Sequence, residues 1–234
     1  SSFSLQPVWA APYGNERTPV WIDTDPSCRE GIGHDADDCP ALIQVFNSPQ
    51  LEIVGIGTVF GNTDYDTAVA IAQCAVARFG CTRAQHLCPS HVHAGARSPN
   101  QGFVKIPATE ALRRILAHRP VNILPLGPLT NVATFLVNCP ELRREIVRVI
   151  AVAGRRPGKR FRHIPLLPVS LGDSNFEADP SCFDLVLRSG FPITLIPYEV
   201  VAKVMLNRQD LGDLLAGLPA HCGFLNRCPA GFSY

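Results

Sequence analysis

The sequence has no long apolar run and almost no net charge. No stretch reaches the eighteen apolar residues that a membrane-spanning helix needs. Its 21 Lys and Arg balance 20 Asp and Glu, so the composition offers no basic surface for a nucleic acid or a membrane. With 46% apolar residues among 234, the chain can bury a substantial core. We therefore expect a soluble globular protein that binds neither nucleic acid nor a membrane.

The cysteines form no recognisable metal or disulfide pattern. The chain has 9 of them, scattered along its length without a C-x-x-C pair or a neighbouring H-x-x-x-H pair. Several lie in apolar helical runs, where cysteine acts as a small buried side chain. This pattern predicts free thiols rather than a disulfide scaffold, and a cytoplasmic location. Because the chain starts at Ser1 and has a single methionine, Met205, we expect a processed N-terminus or a fragment.

Short β-branched runs alternate with longer amphipathic ones, which is typical of a parallel sheet covered by helices. Strands are predicted at 19–23, 51–60, near Val92, at 121–126, 147–153 and 193–197. Helices are predicted at 37–46, 64–79, 109–118, 129–137, 180–188 and 209–216, and an exposed basic loop at 154–168. The expected fold is α/β: an open, mainly parallel sheet flanked by helices. A single domain would span 19–234, with an N-terminal extension at 1–18.

Five carboxylates crowd the carboxyl end of the first predicted strand. They fall within sixteen residues and are Asp23, Asp25, Asp35, Asp37 and Asp38. So many like charges beside an apolar sheet raise one another's pKa values and repel unless a cation lies among them. The alternative is that they are ordinary loop and helix-start aspartates that face water. If they hold an ion, all-oxygen ligation favours Ca²⁺ or Mg²⁺ over zinc.

Other polar segments lie at matching places along the chain. G-N-T at 61–63 and G-P-L-T-N at 127–131 each follow a predicted strand, and D-S-N at 173–175 precedes a predicted helix. Ligands of open α/β sheets bind at the carboxyl ends of the strands, so these segments are expected to converge on one cleft. Taken alone, Asn62 also fits a turn and Thr130 a helix start. Their joint placement indicates a site.

In this order the motifs resemble the signatures of the inosine-uridine preferring nucleoside hydrolases. They read D-T-D-P at 23–26, D-A-D-D at 35–38, V-F-G-N-T at 59–63, L-G-P-L-T-N-V-A at 126–133 and D-S-N-F-E-A-D-P at 173–180. The resemblance runs from about residue 19 to residue 201. It implies a Rossmann-like nucleoside hydrolase fold and hydrolysis of the N-glycosidic bond of ribonucleosides, which gives ribose and free base.

The resemblance also implies a metal ion. In that family Ca²⁺ lies at the bottom of the active site, so Ca²⁺ is expected here, with Mg²⁺ as the second choice. Asp25 and Asp38 would bind the ion through their carboxylates, and Thr130 through its backbone carbonyl. Asp25 would in addition accept a proton from the attacking water. Asp23 and Asp35 would support these ligands from behind.

The substrate residues follow from the same resemblance. Asp37 and Asn62 would hold the ribose hydroxyls, whereas Asp173 and Asn175 would reach the rest of the sugar. The implied partner is a small nucleoside, and the oligomeric state, including a homo-oligomer, stays open. Nothing in the motifs identifies the base.

The sequence departs from the family pattern in three places. Extra residues at 27–34 separate the two halves of the acidic motif. His91 and His93 match no base-contacting histidine, and exposed loop histidines are expected instead. The family continues beyond Tyr234 with a segment that supplies another metal-binding aspartate, so we expect a C-terminally truncated member with an incomplete site.

Two other functions fit part of the sequence. W-I-D-T-D-P-S at 21–27 and the acidic segment at 172–179 resemble the motifs of Mg²⁺-dependent phosphatases of the haloacid dehalogenase type. That interpretation leaves the aspartates at 35–38 and G-P-L-T-N without a role, and no lysine between 105 and 159 fills the expected position. The chain also fits a catalytically silent remnant that binds a nucleoside or ribose.

Overall fold

Six strands form one sheet in the computed structural model, which describes residues 16–27, 37–82, 85–158, 172–204 and 209–210. The strands are β1 (Thr18–Thr24), β2 (Leu51–Thr58), β3 (Val92–His93), β4 (Val121–Pro125), β5 (Ile146–Val152) and β6 (Ile193–Ile196). They lie in the order β3-β2-β1-β4-β5-β6, and every neighbouring pair is parallel. All six predicted strands are present, and the predicted α/β class is confirmed.

Helices connect these strands. They are α1 (Asp38–Phe46), α2 (Tyr65–Phe79), α3 (Pro107–Leu116), α4 (Thr130–Asn138), α5 (Ser174–Glu177), α6 (Pro180–Leu187) and α7 (Tyr198–Val201). The single turns α5 and α7 were not predicted, and most of the predicted helix at 209–216 lies outside the described residues. Within the part of the chain that the structure describes, no helix combines the length and the apolar character needed to cross a membrane.

The sheet buries both of its faces because the side chains of a strand alternate in direction. On β1, Val20 and Ile22 pack with α1 and α2, whereas Trp21 packs on the other face with α3, α4 and α6. The start of α2 is fixed by Asp64, whose side chain accepts a hydrogen bond from the Thr67 N–H. The two faces together give the sheet a fully covered centre.

The strand order reverses between β1 and β4. From β1 the chain proceeds to β2 and β3 on one side, and from β4 to β5 and β6 on the other. The segments that follow β4 and β2 are hydrogen-bonded to the end of β1. The Leu126 N–H donates to the Asp23 carbonyl at 2.7 Å, and the Val59 N–H donates to the Thr24 carbonyl at 3.0 Å. Such a reversal opens a crevice at the carboxyl ends of the strands, where ligands of this fold class bind.

The prediction that the cysteines are free is wrong for two of them. Cys39 on α1 and Cys74 on α2 are buried, as expected, but both are disulfide-bonded. Sequence spacing could not reveal this, because disulfide formation depends on which buried helix faces the fold brings together. Among the described residues Cys81, Cys88, Cys139 and Cys182 are free.

Candidate active site

The two halves of the acidic motif meet at the end of β1. Asp25 follows the strand and Asp38 begins α1, and both are buried, with 1% and 4% of their surfaces exposed. One oxygen of the Asp38 carboxylate accepts hydrogen bonds from the Thr24 hydroxyl at 2.8 Å and the Asp25 N–H at 3.1 Å. The inserted residues therefore do not keep the two carboxylates apart.

The Asp25 carboxylate lies in a close-fitting cradle of backbone. Its Oδ2 accepts a hydrogen bond from the Asn62 N–H at 2.9 Å. A Cβ atom added at Gly61 or Gly127 would overlap this carboxylate, so only glycine permits the loops after β2 and β4 to approach so closely. Oδ1 is buried and has no hydrogen-bond partner among the described residues. A buried carboxylate oxygen without a partner is costly unless a ligand completes it.

Burial makes these carboxylates reluctant to ionise. It raises the pKa of Asp25 to about 6, and the negative charge of Asp37 adds to the increase. Burial also raises the pKa of Asp38 well above its usual range, together with the charge of Asp25. Two touching carboxylates with an unsatisfied oxygen fit a hard cation that takes oxygen ligands. Within the described ranges, no group of three or more His, Cys, Asp or Glu side chains could hold a metal ion.

The G-P-L-T-N turn lies directly beside Asp25, with Gly127 next to its carboxylate. Thr130 is buried at the start of α4, and its hydroxyl donates to the carboxylate of Asp179 at 2.7 Å. The next residue, Asn131, is also buried, and its side chain bonds to the ends of neighbouring strands. The site prediction omitted Asp179 and Asn131. Their only sequence signals, an Asp-Pro helix start and the last letter of G-P-L-T-N, indicate a cap and a turn.

Asp173 and Asn175 close the side of the crevice formed by β4 and β5. Asp173 is buried and caps α5 by accepting from the Phe176 N–H, and it also accepts from the Gly154 N–H. The Asn175 amide donates to the carbonyls of Leu126 at 2.6 Å and Val152 at 2.9 Å. Both residues therefore lie at the ends of the two strands.

The remaining predicted site residues differ in their placement. Asp37 is exposed directly before α1 and is close enough to raise the pKa of Asp25. Asn62 is half-buried and contacts Asp25 through its backbone N–H. Asp35 lies outside the described residues. The crevice thus brings together Asp25, Asp38 and Asn62, with Asp37 at its rim.

Asp23 lies behind the site and does not face the crevice with Asp25. Its carboxylate accepts a hydrogen bond from the Trp21 indole N–H at 2.9 Å, and burial raises its pKa to about 6 although Trp21 and the nearby Asn131 side chain act to lower it. The Trp21 ring stacks on His93, with ring centroids 5.7 Å apart and planes 10° apart. The expectation of an exposed loop histidine is wrong for His93, because its ring is half-buried on β3, and burial lowers its pKa.

A family comparison agrees with this geometry. The model of the family described as inosine-uridine preferring nucleoside hydrolase matches residues 20–228. The chain belongs to this nucleoside hydrolase family. The match includes β1 from Val20 onwards, the G-P-L-T-N turn and the α5–α6 segment, and so contains every motif that carried the resemblance.

Curated relatives of this chain include bacterial proteins. Non-specific ribonucleoside hydrolase RihC of Shigella flexneri serotype 5b is 30% identical over 226 residues, which cover 87% of this chain and 67% of that protein. Pyrimidine-specific ribonucleoside hydrolase RihA of Photobacterium profundum is 28% identical, with 82% and 64% covered. The chain therefore spans about two thirds of the length of the curated relatives it matches.

Solved structures show the same nucleoside hydrolase architecture. The plant nucleoside hydrolase PpNRh1 superposes with a TM-score of 0.66 at 21% identity, over 85% of this chain and 65% of that one. The inosine-uridine preferring nucleoside hydrolase from Bacillus anthracis gives 0.64 at 19% identity, over 86% and 70%. At these identities the likeness concerns the fold, so the role of each residue must be argued from the site itself.

Proposed function

We propose that this protein hydrolyses the N-glycosidic bond of ribonucleosides in a Ca²⁺-dependent reaction, giving ribose and free base. The observation that carries the proposal is the buried Asp25 residue at the strand-order reversal: one oxygen of its carboxylate has no hydrogen-bond partner among the described residues, and its N–H donates to the Asp38 carboxylate. Family membership supplies the reaction class. The two relatives named as ribonucleoside hydrolases support a nucleoside as the substrate.

Asp25 is the group best placed to accept a proton. A general base must lie within hydrogen-bond reach of the proton that it accepts, and the Asp25 carboxylate lies at the end of β1 beside the G-P-L-T-N turn. The hydrogen bond from the Asn62 N–H fixes Oδ2, which leaves Oδ1 to receive the proton of the attacking water. One positioned base contributes about 10²–10⁴-fold to a rate.

The cation would be held by Asp25 and Asp38, with the Thr130 carbonyl as the third protein ligand. The donor set fits Ca²⁺ because its members are all oxygens, and Mg²⁺ is the second choice. When bound, Ca²⁺ lowers the pKa of the attacking water and neutralises the charge of the crowded carboxylates. The hydrogen bond from the Thr24 hydroxyl orients Asp38 for this role.

The sugar would lie between the polar side chains around the crevice. Cleavage of a glycosidic bond passes through an oxocarbenium-like ribose, whose positive charge anionic and amide oxygens stabilise. Asp37 and Asn62 would bind the ribose hydroxyls on one side. On the other, Asp173 would accept from a sugar hydroxyl, and Asn175 would offer its carbonyl oxygen because its amide N–H groups already serve Leu126 and Val152.

A cleavage assay tests the proposal. Uridine and inosine are incubated with the chain in Ca²⁺ and in a chelator, and release of ribose and free base is measured. We expect release only with Ca²⁺, and loss of release in Asp25→Asn. The matched control is Asp66→Asn, because the side chain of Asp66 is 82% exposed at the start of α2. Equal release by parent and Asp25→Asn would contradict the role of Asp25.

The same assay separates the alternatives. Nucleoside or ribose binding without cleavage would indicate the silent remnant. Release of phosphate from a generic ester would indicate the phosphatase, which the family match does not favour. We also propose a cytoplasmic location, which the free thiols of Cys81, Cys88, Cys139 and Cys182 support and the disulfide bonding of Cys39 and Cys74 does not.

A further inference from the structure

The start of α4 is anchored by two adjacent side chains that point to different neighbours. Thr130 binds Asp179, which also caps α6 by accepting from the Cys182 N–H at 3.2 Å. Asn131, with 3% of its surface exposed, binds the other half of the sheet. The backbone between them is the part of the chain that carries the proposed metal-binding carbonyl.

Asn131 uses its whole amide. Its Nδ2 donates to the carbonyl of Thr58, the last residue of β2, at 2.9 Å. Its Oδ1 accepts from the Ala96 N–H, beyond β3, at 2.8 Å. The same side chain lies close enough to the Asp23 carboxylate to lower its pKa. One buried amide therefore joins the ends of three strands to the first turn of α4.

The backbone after β3 packs tightly against the Asn131 amide. A Cβ atom added at Gly95 would overlap the Thr58 carbonyl and lie 2.6 Å from Oδ1 of Asn131. Glycine at this position lets the chain after β3 close over the amide. An amide that is fully hydrogen-bonded in such a close contact has one orientation. Its contacts in turn fix the position of the Asn131 backbone and of the Asp23 carboxylate.

We propose that Asn131 is a positioning residue that holds the Thr130 backbone and the Asp23 carboxylate in the geometry needed for cation binding. The proposal rests on the Ca²⁺-dependent function proposed above. Asn131 acts through Thr130 and Asp23 and is not itself a ligand. Residues that orient metal ligands typically change metal affinity by about 10–100-fold when they are replaced.

The test compares Asn131→Ala with Asn122→Ala in the full chain. Asn122 is a matched control because it is half-buried on β4, makes one long bond of 3.4 Å to the Pro19 carbonyl and lies towards the other end of the strand. Calorimetric titration with Ca²⁺ should show about 10–100-fold weaker binding for Asn131→Ala and unchanged binding for Asn122→Ala. Equal affinity in both variants would overturn the proposal.

A second variant and a second readout keep the test decisive. Asn131→Ser removes the amide but keeps a small polar side chain and adds no charge beside Asp23, so it answers the question if Asn131→Ala does not fold. The indole N–H signal of Trp21 in ¹⁵N-tryptophan-labelled, metal-free protein reports on Asp23, with Trp9→Phe to assign it. It should shift in the Asn131 variants and not in Asn122→Ala.

The indole signal also distinguishes this proposal from the proposed function. If the parent chain neither binds Ca²⁺ nor cleaves a nucleoside, the Ca²⁺-dependent function is wrong, while a shifted Trp21 signal still supports the positioning of Asp23 by Asn131. An unshifted signal in the Asn131 variants would overturn the positioning role whether or not the parent is active.

Discussion

Ca²⁺ should stabilise the folded protein, and more strongly at pH 8 than at pH 5. Burial raises the pKa of Asp23 from 3.8 to about 6 and raises the pKa of Asp25 and Asp38 as well. A raised folded-state pKa adds stability that is complete below the unfolded value and is lost as the pH rises through the folded value. At pH 8 Asp23 and Asp25 are charged and buried, so a cation has more negative charge to neutralise there than at pH 5.

The structure sets the size of this effect. From pH 5 to pH 8 the free energy of unfolding falls by about 1.4 kcal/mol through Asp23 alone. At pH 5 the solution is one unit below the folded-state pKa of about 6, and one pKa unit corresponds to about 1.4 kcal/mol. A ligand at a hundred times its dissociation constant adds about 2.7 kcal/mol. Since about 1 kcal/mol moves the Tm of a protein of this size by roughly 2–4 °C, Ca²⁺ should raise the Tm by roughly 5–11 °C at pH 8.

The assay is thermal denaturation in Ca²⁺ and in a chelator at each pH. Comparing the two conditions at one pH removes the contribution of His93, whose lowered pKa acts in the opposite direction. Asp38→Ala should abolish Ca²⁺ binding and with it the rise in Tm, whereas Asp66→Asn should keep both. An equal rise at pH 5 and pH 8, or a parent-like Ca²⁺ titration by Asp38→Ala, would refute the reasoning.

Three other substitutions test single parts of the structure. Asp25→Asn should retain much of the Ca²⁺ affinity but lower kcat by about 10²–10⁴-fold, and parent-like turnover would contradict its role as the base. Gly127→Ala should weaken Ca²⁺ binding and lower the free energy of unfolding by about 1–3 kcal/mol in urea, since the new Cβ overlaps the Asp25 carboxylate. Arg119→Ala breaks the partly exposed ion pair with Glu52, whose shortest N–O distance is 2.6 Å, and should cost only about 0.2–1 kcal/mol with unchanged turnover.

The order and type of the main elements could be predicted because each strand and long helix carries its own periodic pattern. All six strands occur near their predicted positions, and β2 ends at Thr58, two residues before its predicted end. α5 and α7 were missed because four residues make a single turn, which is too short to show a helical period. The Cys39 and Cys74 disulfide bonding was missed because it arises from tertiary packing.

The candidate site, like the fold, could be predicted only in part from the sequence. Residues that form part of an ordered motif, such as Asp25 and Asp38, could be identified from the sequence. Their contact could not, because it needs the Thr24 hydroxyl and the Asp25 N–H to meet a carboxylate thirteen residues later. Asn131 belongs to the G-P-L-T-N motif, but its supporting role was missed because an asparagine at a helix start also fits a turn.

Burying the Asp25 and Asp38 carboxylates together is costly in free energy, which explains why several neighbouring groups hold them in place. Charged carboxylates at Asp25 and Asp38 repel each other and lose hydration, so a fold free to relax would turn at least one of them towards water. Here the Thr24 hydroxyl, the Asn62 N–H and the glycines at 61 and 127 hold them in place. A fold that fixes a costly charge pair in this way is preorganised, and a cation that binds there recovers free energy without a rearrangement of its ligands.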